Sequence, residues 1–448
     1  MSQNNNLLSQ MRPPRAAAAH SPAEQPLESP AALHPAASGL SSILLLGLLT
    51  WLLVSVTYSG AVSRSSGITG MDFTAFYNAG ARLNQGLPLY QPNLAVRDQH
   101  VLYCYSPLPA ELLRPLSRLP FEKALHLWFF INAGCLLLAI AFYGLAARLR
   151  LHNAWLLGIL LLVSFRFWDN TLNFGLGQSN DLLLGLIGGM IWAESRGRWG
   201  VLGALIVLAA LFKLWLIGLL LYPLMRRQWK PVLWSVVGLV LAEVLLFSLV
   251  GRSEFPAFLR VLKEAKVAQE GQEVQSSLIG FANVHLHSNP FTTPLVDNQG
   301  IYVAFIALGA AAVVGGLLYL WNRLRRPSAL EARLAFGILL TSLLLLLPTY
   351  ENGYFIYCFP LLWTLLVSPD AEGRQTRSTL QTSRLMFGAG VVLYLIFSRP
   401  WPFYTPFAPE LQHGLHSLLV SMKFFGTAAL WLTGLLVLRR LRRAEIIH

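Results

Sequence analysis

Long apolar runs recur along this chain and constrain its fold more than any other feature. Most are about 15 to 22 residues long, and an α-helix of about 20 residues crosses the hydrocarbon core of a bilayer. The pattern predicts an all-α polytopic membrane protein rather than a set of soluble domains. The runs cover residues 42–58, 126–147, 154–168, 180–194, 200–225, 231–250, 301–322, 333–348, 354–368, 384–398 and 417–438.

The positively charged residues of the chain are concentrated at the ends of these runs. The formal net charge is +13, but Lys and Arg cluster at the ends of apolar runs, as in 323–326 and 439–443, which is the bias of cytoplasmic loops. The charge therefore indicates membrane topology rather than nucleic-acid binding. The three cysteines, Cys104, Cys135 and Cys358, have no spacing typical of a disulfide framework or a zinc site.

Charge and composition also set the predicted boundaries. Residues 1–39 are rich in Ala, Pro, Ser, Asn and Gln without apolar periodicity, which predicts a disordered cytoplasmic tail. Residues 40–438 form one predicted membrane domain, and 439–448 form a basic cytoplasmic tail. The same bias places three long polar intervals on the outer side, namely 59–125, 251–300 and 399–416.

The run 200–225 does not fit this topology as one straight helix. It would carry Arg226 and Lys230 to the outer face, against the charge bias. It also holds Lys213 in its middle, where an ionisable residue is costly and usually faces a functional cavity. A break near Phe212 predicts two half-spans that return to the cytoplasmic side, shielded by protein. With this hairpin, the chain has about 11 or 12 membrane segments.

The outer intervals contain further predicted helices. Residues 72–85 place several aromatic side chains on one helical face and are followed by the breaker sequence 86–90. Shorter amphipathic stretches occur at 111–116 and 255–266. We expect these segments to lie along the outer membrane interface, with aromatic rings at headgroup depth.

Asp72 is the residue most suggestive of chemistry. It follows the first apolar run closely and lies among Phe73, Phe76 and Tyr77 in a chain that is only 12% charged. A carboxylate in such a place is a candidate general base. The alternative is an N-cap for a short helix that begins at Phe73.

No Walker loop, GxSxG elbow, HExxH or paired-Cys motif occurs, so the sequence gives no sign of soluble hydrolase or nucleotide chemistry. Instead, five short motifs follow one another in order over most of residues 70–365. They are Asp72-Phe73-x-x-Phe76-Tyr77-x-Ala79-Gly80 with Gly86-x-x-Leu89-Tyr90, Tyr105-x-Pro107 with Pro115-Leu116, Gly175-x-Gly177-Gln178-x-Asn180, Lys213 with Arg226-Arg227-x-Trp229, and Gln275-Ser276 with Leu278 and Gly280.

In these motifs the chain resembles glycosyltransferase family 87, membrane enzymes of the GT-C superfamily that use polyprenyl-phosphate sugars. The resemblance implies a GT-C type bundle and the transfer of one sugar to an acceptor hydroxyl on the outer face of a bacterial plasma membrane. It favours mannose as the sugar. The late segment Pro348–Tyr354 lacks the histidine usual in the family, which keeps arabinofuranose as an alternative.

The chemistry assigns roles to the polar residues. In a single inverting displacement Asp72 is the general base, and the leaving phosphate needs charge and hydrogen-bond donors. Candidate acceptor-side residues are Tyr77, Arg82 and Tyr105. Candidate donor-phosphate or sugar-binding residues are Lys213, Arg166, His285, His287, Gln178, Asn180, Gln275, Tyr350 and Glu351. Asp169, Asn173, Asp181 and Tyr354 belong to the same polar set without an assigned role.

Each assignment has a plainer alternative. Lys213 and Arg166 are also explained as interface anchors, Gln178 and Asn180 as caps of the next span, and a loop histidine as a solvated side chain. Asp72 has no acidic neighbour in sequence, so we expect a reaction without a cofactor or a metal ion. The use of a divalent metal ion is the alternative.

At the level of the whole protein, the expected partners are the lipid-linked donor, a glycolipid, glycan or exported-protein acceptor, and membrane lipids, without nucleic acid. The alternative functions are a transporter or flippase of a lipid-linked sugar, and a non-catalytic assembly subunit.

Overall fold

The computed structural model consists of helices and their connections, and no strand occurs in the residues that it describes. Most of the predicted run 384–398 and the whole interval 399–416 lie outside those residues. The described residues are 35–61, 69–90, 102–149, 154–269, 276–289, 292–348, 352–371, 388, 418 and 421–446.

The helices follow the apolar runs closely, with short 3₁₀ segments at Leu116–Arg118, Leu214–Leu220 and Asn352–Cys358. The α-helices are α1 (Pro35–Ala61), α2 (Met71–Asn84), α3 (Pro107–Leu113), α4 (Phe121–Ala146), α5 (Ala154–Arg166), α6 (Trp168–Leu176), α7 (Asn180–Ser195), α8 (Trp199–Phe212), α9 (Leu221–Met225), α10 (Trp229–Val250), α11 (Glu254–Gln269), α12 (Leu278–Leu286), α13 (Gln299–Arg323), α14 (Ala329–Leu346), α15 (Phe359–Ala371) and α16 (Met422–Ile446).

Six of the described helices are long and apolar enough to cross a membrane, namely α1, α4, α10, α13, α14 and α16. The bent pair of α5 and α6 makes a seventh if it is counted as one span. The prediction of an all-α polytopic membrane protein is confirmed. The remaining apolar runs in the described part form shorter helices such as α7 and α8, whose backbone is shielded by neighbouring helices. Helix α1 begins at Pro35, before the predicted domain boundary at residue 40.

The predicted apolar run 154–168 is helical as far as Arg166 and bends after it. Helix α5 ends at Arg166, and α6 leaves it at an angle of 56°. The side-chain Nδ2 of Asn170 donates to the backbone oxygen of Ser164 at 3.0 Å, an acceptor that a continuous helix would pair with the N–H of Trp168. The oxygen of Ser164 therefore keeps a hydrogen-bond partner at the break. The pattern of apolar residues does not predict this break.

The predicted break at Lys213 is present, and the chain turns back there. Helix α8 ends at Phe212, and Lys213 has extended backbone (φ −137°, ψ 104°). Beyond α9, the guanidinium of Arg226 forms an ion pair with Glu194 at the end of α7 and lies 5.3 Å from the ring of Trp199 at the start of α8. The segment 199–226 thus starts and finishes at the same end of the bundle, as a hairpin does.

The two described polar intervals pack on each other at the opposite end. The backbone N–H of Tyr90 donates to Oε2 of Glu254 at 3.1 Å, and the Tyr90 ring contacts Phe247 and Phe258. The predicted helix 72–85 is α2, and the predicted stretch 255–266 lies within α11. These short helices form a polar and aromatic layer at the end that carries Asp72.

Candidate active site

The start of α2 docks onto the glycine turn that joins α6 to α7. The N–H of Gly70 donates to the oxygen of Gly175 at 2.8 Å, and Trp128 Nε1 donates to the oxygen of Gly177 at 2.8 Å. Gly177 has a φ of +72°, and a Cβ there would lie 2.6 Å from the Cβ of Phe73. Only glycine suits this position, both for its backbone conformation and for the close approach of α2.

This docking brings Asp72 against Gln178. Nε2 of Gln178, a buried residue, donates to Oδ2 of half-buried Asp72 at 2.6 Å. The alternative that Asp72 caps a helix beginning at Phe73 is wrong, because α2 begins at Met71 and Gly70 occupies its N-cap position. The carboxylate is instead oriented by an amide donor from the glycine turn.

Asn180, two residues further along the same turn, holds Lys213. Nζ of Lys213 donates to Oδ1 of Asn180 at 2.8 Å, and the hydroxyl of Tyr357 donates to the same oxygen at 2.9 Å. Lys213 is only 5% exposed, and its ammonium lies 4.0 Å from the ring centroid of Tyr354. These contacts place Lys213 inside the protein rather than at a lipid interface. The carboxylate and the ammonium are thus bound to side chains of one turn.

Two more polar groups extend this cluster towards the late segment. Nδ2 of Asn173 donates to the oxygen of Gly353 at 2.9 Å, and Nδ2 of Asn180 donates to Oδ1 of Asn173 at 2.9 Å. A Cβ at Gly353 would lie 2.3 Å from Oδ1 of Asn173. Helices α6 and α7 and the 3₁₀ segment after α14 are therefore fixed relative to one another by amide hydrogen bonds.

A buried ion pair lies behind the cluster. Lys423, on α16, pairs with Asp169 of α6, which is fully buried, and the ammonium lies 5.2 Å from the Phe355 ring. Lys423 lies in the apolar run 417–438 but has no role predicted from the sequence. The signal that singled out Lys213, a lysine within an apolar run, applies to it equally.

The two candidate histidines lie near α16 and α13 instead of at the turn. His285 is fully buried, and its Nε2 is 2.7 Å from Oγ of Ser421. Burial lowers the pKa of His285 from 6.5 to about 4, so the ring is neutral at pH 7 and supplies no positive charge for a phosphate. His287 is exposed, with its ring 5.3 Å from that of Tyr302.

The candidate acceptor-side residues hold the first long polar interval together. The Tyr77 hydroxyl donates to the oxygen of Leu119 at 2.8 Å, and Nη1 of Arg82 donates to the oxygen of Leu89 at 2.9 Å. The ring of Tyr105 lies 4.7 Å from that of Phe76. These contacts give all three residues a structural role in shaping the surface beside Asp72.

The other candidates are placed as follows. Arg166 is exposed at the end of α5. Gln275, Tyr350 and Glu351 lie outside the described residues. Within the described ranges no group of three or more His, Cys, Asp or Glu side chains is arranged to hold a metal ion.

The fold and the cluster together define a multi-pass membrane protein in which one turn holds a carboxylate and an ammonium. The sequence profile named Glycosyltransferase family 87 matches residues 103–348, which is more than half of the chain. The chain belongs to glycosyltransferase family 87. The match includes Gln178, Asn180 and Lys213 and begins after Asp72. The predicted family and glycosyltransferase activity are confirmed.

Curated relatives are similar over part of the chain. The Alpha-(1->3)-arabinofuranosyltransferase of Corynebacterium glutamicum is 29% identical over 303 residues, which is 66% of this chain and 68% of the relative. The protein of the same name from Mycobacterium tuberculosis H37Rv is 30% identical over 204 residues, which is 44% of this chain and 46% of the relative. Family membership favours the enzyme over the transporter and assembly-subunit alternatives.

Proposed function

We propose that this glycosyltransferase moves one sugar from a polyprenyl-phosphate donor to a hydroxyl of a glycan acceptor, with Asp72 as the general base. The observation that carries the proposal is the arrangement at the glycine turn. Gln178 holds the Asp72 carboxylate, and Asn180, two residues away, holds the Lys213 ammonium. A proton acceptor and a positive charge are the two groups that such a transfer needs.

The reaction is a single inverting displacement. The acceptor oxygen attacks the anomeric carbon while the bond from that carbon to the phosphate oxygen breaks. Asp72 takes the proton of the acceptor hydroxyl, and the polyprenyl phosphate leaves with the bonding electron pair. Lys213 stabilises the charge that grows on the leaving phosphate, because its ammonium is buried where electrostatic interactions are strong.

Gln178 is a positioning residue in this scheme. Its hydrogen bond to Oδ2 orients the carboxylate of Asp72. The general base must lie within about 3 Å of the proton that it removes, so the orientation of Asp72 matters as much as its charge.

The sugar that we propose is arabinofuranose, with an α-(1→3) linkage, in place of the mannose that the motif resemblance favours. The support is the printed activity of the relatives from Corynebacterium glutamicum and Mycobacterium tuberculosis. The absence of the usual family histidine in the segment Pro348–Tyr354 is in keeping with a different sugar. The acceptor would then be an arabinose-containing glycan.

We further propose that the site opens on the outer face of a bacterial plasma membrane. The basic turns lie at the other end of the bundle, where Arg226 meets Glu194, and basic loops favour the cytoplasm. No cofactor is required by this mechanism.

The test is transfer by the purified full-length protein. Radiolabelled polyprenyl-phosphate arabinose and polyprenyl-phosphate mannose are each incubated with a synthetic α-arabinofuranoside and with an envelope extract, with and without EDTA. We expect arabinose transfer that survives EDTA and fails in Asp72→Asn. Transfer of mannose alone would refute the sugar, and loss of activity with EDTA would refute the metal-free mechanism. Arabinose transfer that persists in Asp72→Asn would refute the base.

A further inference from the structure

Trp215 lies in the 3₁₀ segment directly after Lys213 and is surrounded by the same tyrosines as that lysine. Its ring stacks on the Tyr354 ring with 6.0 Å between centroids, and it meets the Tyr357 ring edge-on at 5.3 Å. The Lys213 ammonium lies 4.0 Å from the Tyr354 ring centroid. It also shares the Oδ1 acceptor of Asn180 with the Tyr357 hydroxyl. The indole of Trp215 is therefore part of the surroundings of the Lys213 ammonium.

The indole N–H of Trp215 is a buried donor without an acceptor. Its Nε1 is shielded from solvent, and it has no hydrogen-bond partner among the residues that the structure describes. An indole nitrogen can only donate, and a buried Trp N–H usually finds a partner. Leaving it unpaired costs free energy, because the hydrogen bond that it makes to water in the unfolded chain is not replaced.

Other indoles of this protein show that the fold can supply such partners. In each of three cases Nε1 donates to an oxygen of a neighbouring helix or turn. The pairs are Trp128 with the oxygen of Gly177 at 2.8 Å, Trp363 with Oγ of Ser164 at 3.1 Å, and Trp431 with Oγ of Ser342 at 2.8 Å. The unpaired N–H of Trp215 is therefore a feature of its position beside Lys213 rather than of how this bundle packs its tryptophans.

An ionised phosphate is the group that complements this position. It carries acceptor oxygens and negative charge, whereas the indole and the Lys213 ammonium offer only donors and positive charge. Hydrogen bonds to an ionised acceptor are stronger than those between neutral groups. A phosphate beside Lys213 would thus satisfy a donor that the protein itself leaves unpaired.

We propose that Trp215 binds the donor phosphate by donating its Nε1–H to a non-bridging phosphate oxygen beside the Lys213 ammonium. This inference rests on the proposed function, to which it adds a second donor at the phosphate. Negative charge grows on that group as the bond to the anomeric carbon breaks. The hydrogen bond therefore strengthens towards the transition state and aids turnover as well as donor binding.

Calorimetric titration of the purified full-length protein in a neutral detergent tests the proposal. The probes are farnesyl phosphate, polyprenyl-phosphate arabinose, and farnesol as the lipid without a phosphate. Trp215→Phe keeps an aromatic ring against Tyr354 and removes the N–H. The matched control is Trp431→Phe, which removes an indole N–H that already has a partner, Ser342. Lys213→Met is measured in the same series, because it tests the proposed phosphate cation independently.

We expect Trp215→Phe to weaken the binding of farnesyl phosphate at least tenfold, which corresponds to about 1.4 kcal/mol. Farnesol binding should be unchanged. The melting temperature of the ligand-free protein should fall less than in Trp431→Phe, because no hydrogen bond of the ligand-free protein is lost. Trp431→Phe should show the reverse pattern, with a lower melting temperature and farnesyl phosphate binding within twofold of wild type.

The outcomes separate this inference from the proposed function. Unchanged farnesyl phosphate binding in Trp215→Phe would overturn the inference, and the proposed function would stand if Lys213→Met still lost that binding. Weaker binding of polyprenyl-phosphate arabinose alone would place the N–H at the sugar and overturn the phosphate assignment. An equal loss of farnesol binding would show a packing effect and overturn it too. Normal binding in Lys213→Met with weak binding in Trp215→Phe would support the inference and remove the lysine from the phosphate site. No binding of either phosphate-bearing probe to the wild-type protein would overturn both.

Discussion

Replacement of Asp72 by asparagine tests the central proposal most directly. The amide has the shape of the carboxylate, and its oxygen can still accept the hydrogen bond from Nε2 of Gln178. What disappears is the proton acceptor. General base catalysis contributes about 10²- to 10⁴-fold, so we expect kcat to fall by that factor, which equals about 2.7 to 5.4 kcal/mol of activation free energy.

The structural cost of the same change is smaller. Asp72 is in the first turn of α2 but not at its N-cap, so the carboxylate contributes a dipole interaction of about 0.3 to 1 kcal/mol. The hydrogen bond from Gln178 changes from charged to neutral, which costs about 1 kcal/mol. We therefore expect a loss of about 1 to 2 kcal/mol in the free energy of unfolding, insufficient to explain the loss of turnover.

The assay compares initial rates of sugar transfer at saturating donor, donor binding and thermal unfolding in detergent. Glu122→Gln is the matched control, because Glu122 is also acidic and in the first turn of a helix, but it is exposed on α4. Asp72→Asn should bind donor normally and turn over slowly, while the control keeps wild-type rates. An Asp72→Asn protein with more than about a tenth of normal turnover would contradict the assignment.

Three further changes probe the rest of the site. Lys213→Met should weaken donor binding at least tenfold while unfolding changes little, because it removes the proposed phosphate cation; unchanged donor titrations would exclude this role. Lys423→Met should lower the free energy of unfolding by about 3 to 5 kcal/mol, because it leaves Asp169 buried alone. Adding Asp169→Asn should recover most of that loss, and no recovery would show that the pair is not the cause. In wild type the pKa of His285 is lowered from 6.5 to about 4, so its contribution to stability is present above pH 6.5 and is lost as the pH falls to about 4, a change of about 3 kcal/mol. Thermal unfolding of His285→Gln over this range should lack that component, and identical profiles would contradict it.

The membrane architecture could be predicted from the sequence because a segment in lipid has to satisfy its own backbone hydrogen bonds. Apolar runs of membrane length have to be helical, and each such run in the described residues is helical. The break at Lys213 was also predictable, since charge bias and an intramembrane lysine both conflicted with a straight span. The kink after Arg166 was not, because it depends on the Asn170 side chain finding the oxygen of Ser164, which the apolar pattern does not report.

The site was predictable as a set of residues but not as an arrangement. Asp72, Gln178, Asn180 and Lys213 were singled out, yet the sequence gives no means of pairing residues that are 106 positions apart, as Asp72 and Gln178 are. The partner of Lys423 is 254 positions away, so neither member identified the other. A buried charged residue signals that a partner exists, and only the fold shows which one.

The short helices explain how a cluster of charged and amide side chains is built within a helical bundle. A continuous span offers lipid a surface without free backbone groups, so a polar site has to be made where helices end inside a protein shield. Lys213 lies where α8 stops, and Gln178 and Asn180 lie where α6 gives way to α7. Gly177 allows that turn to touch α2 because no Cβ separates it from Phe73. The interrupted helices therefore place the hydrogen-bond partners of a carboxylate and of an ammonium on one turn.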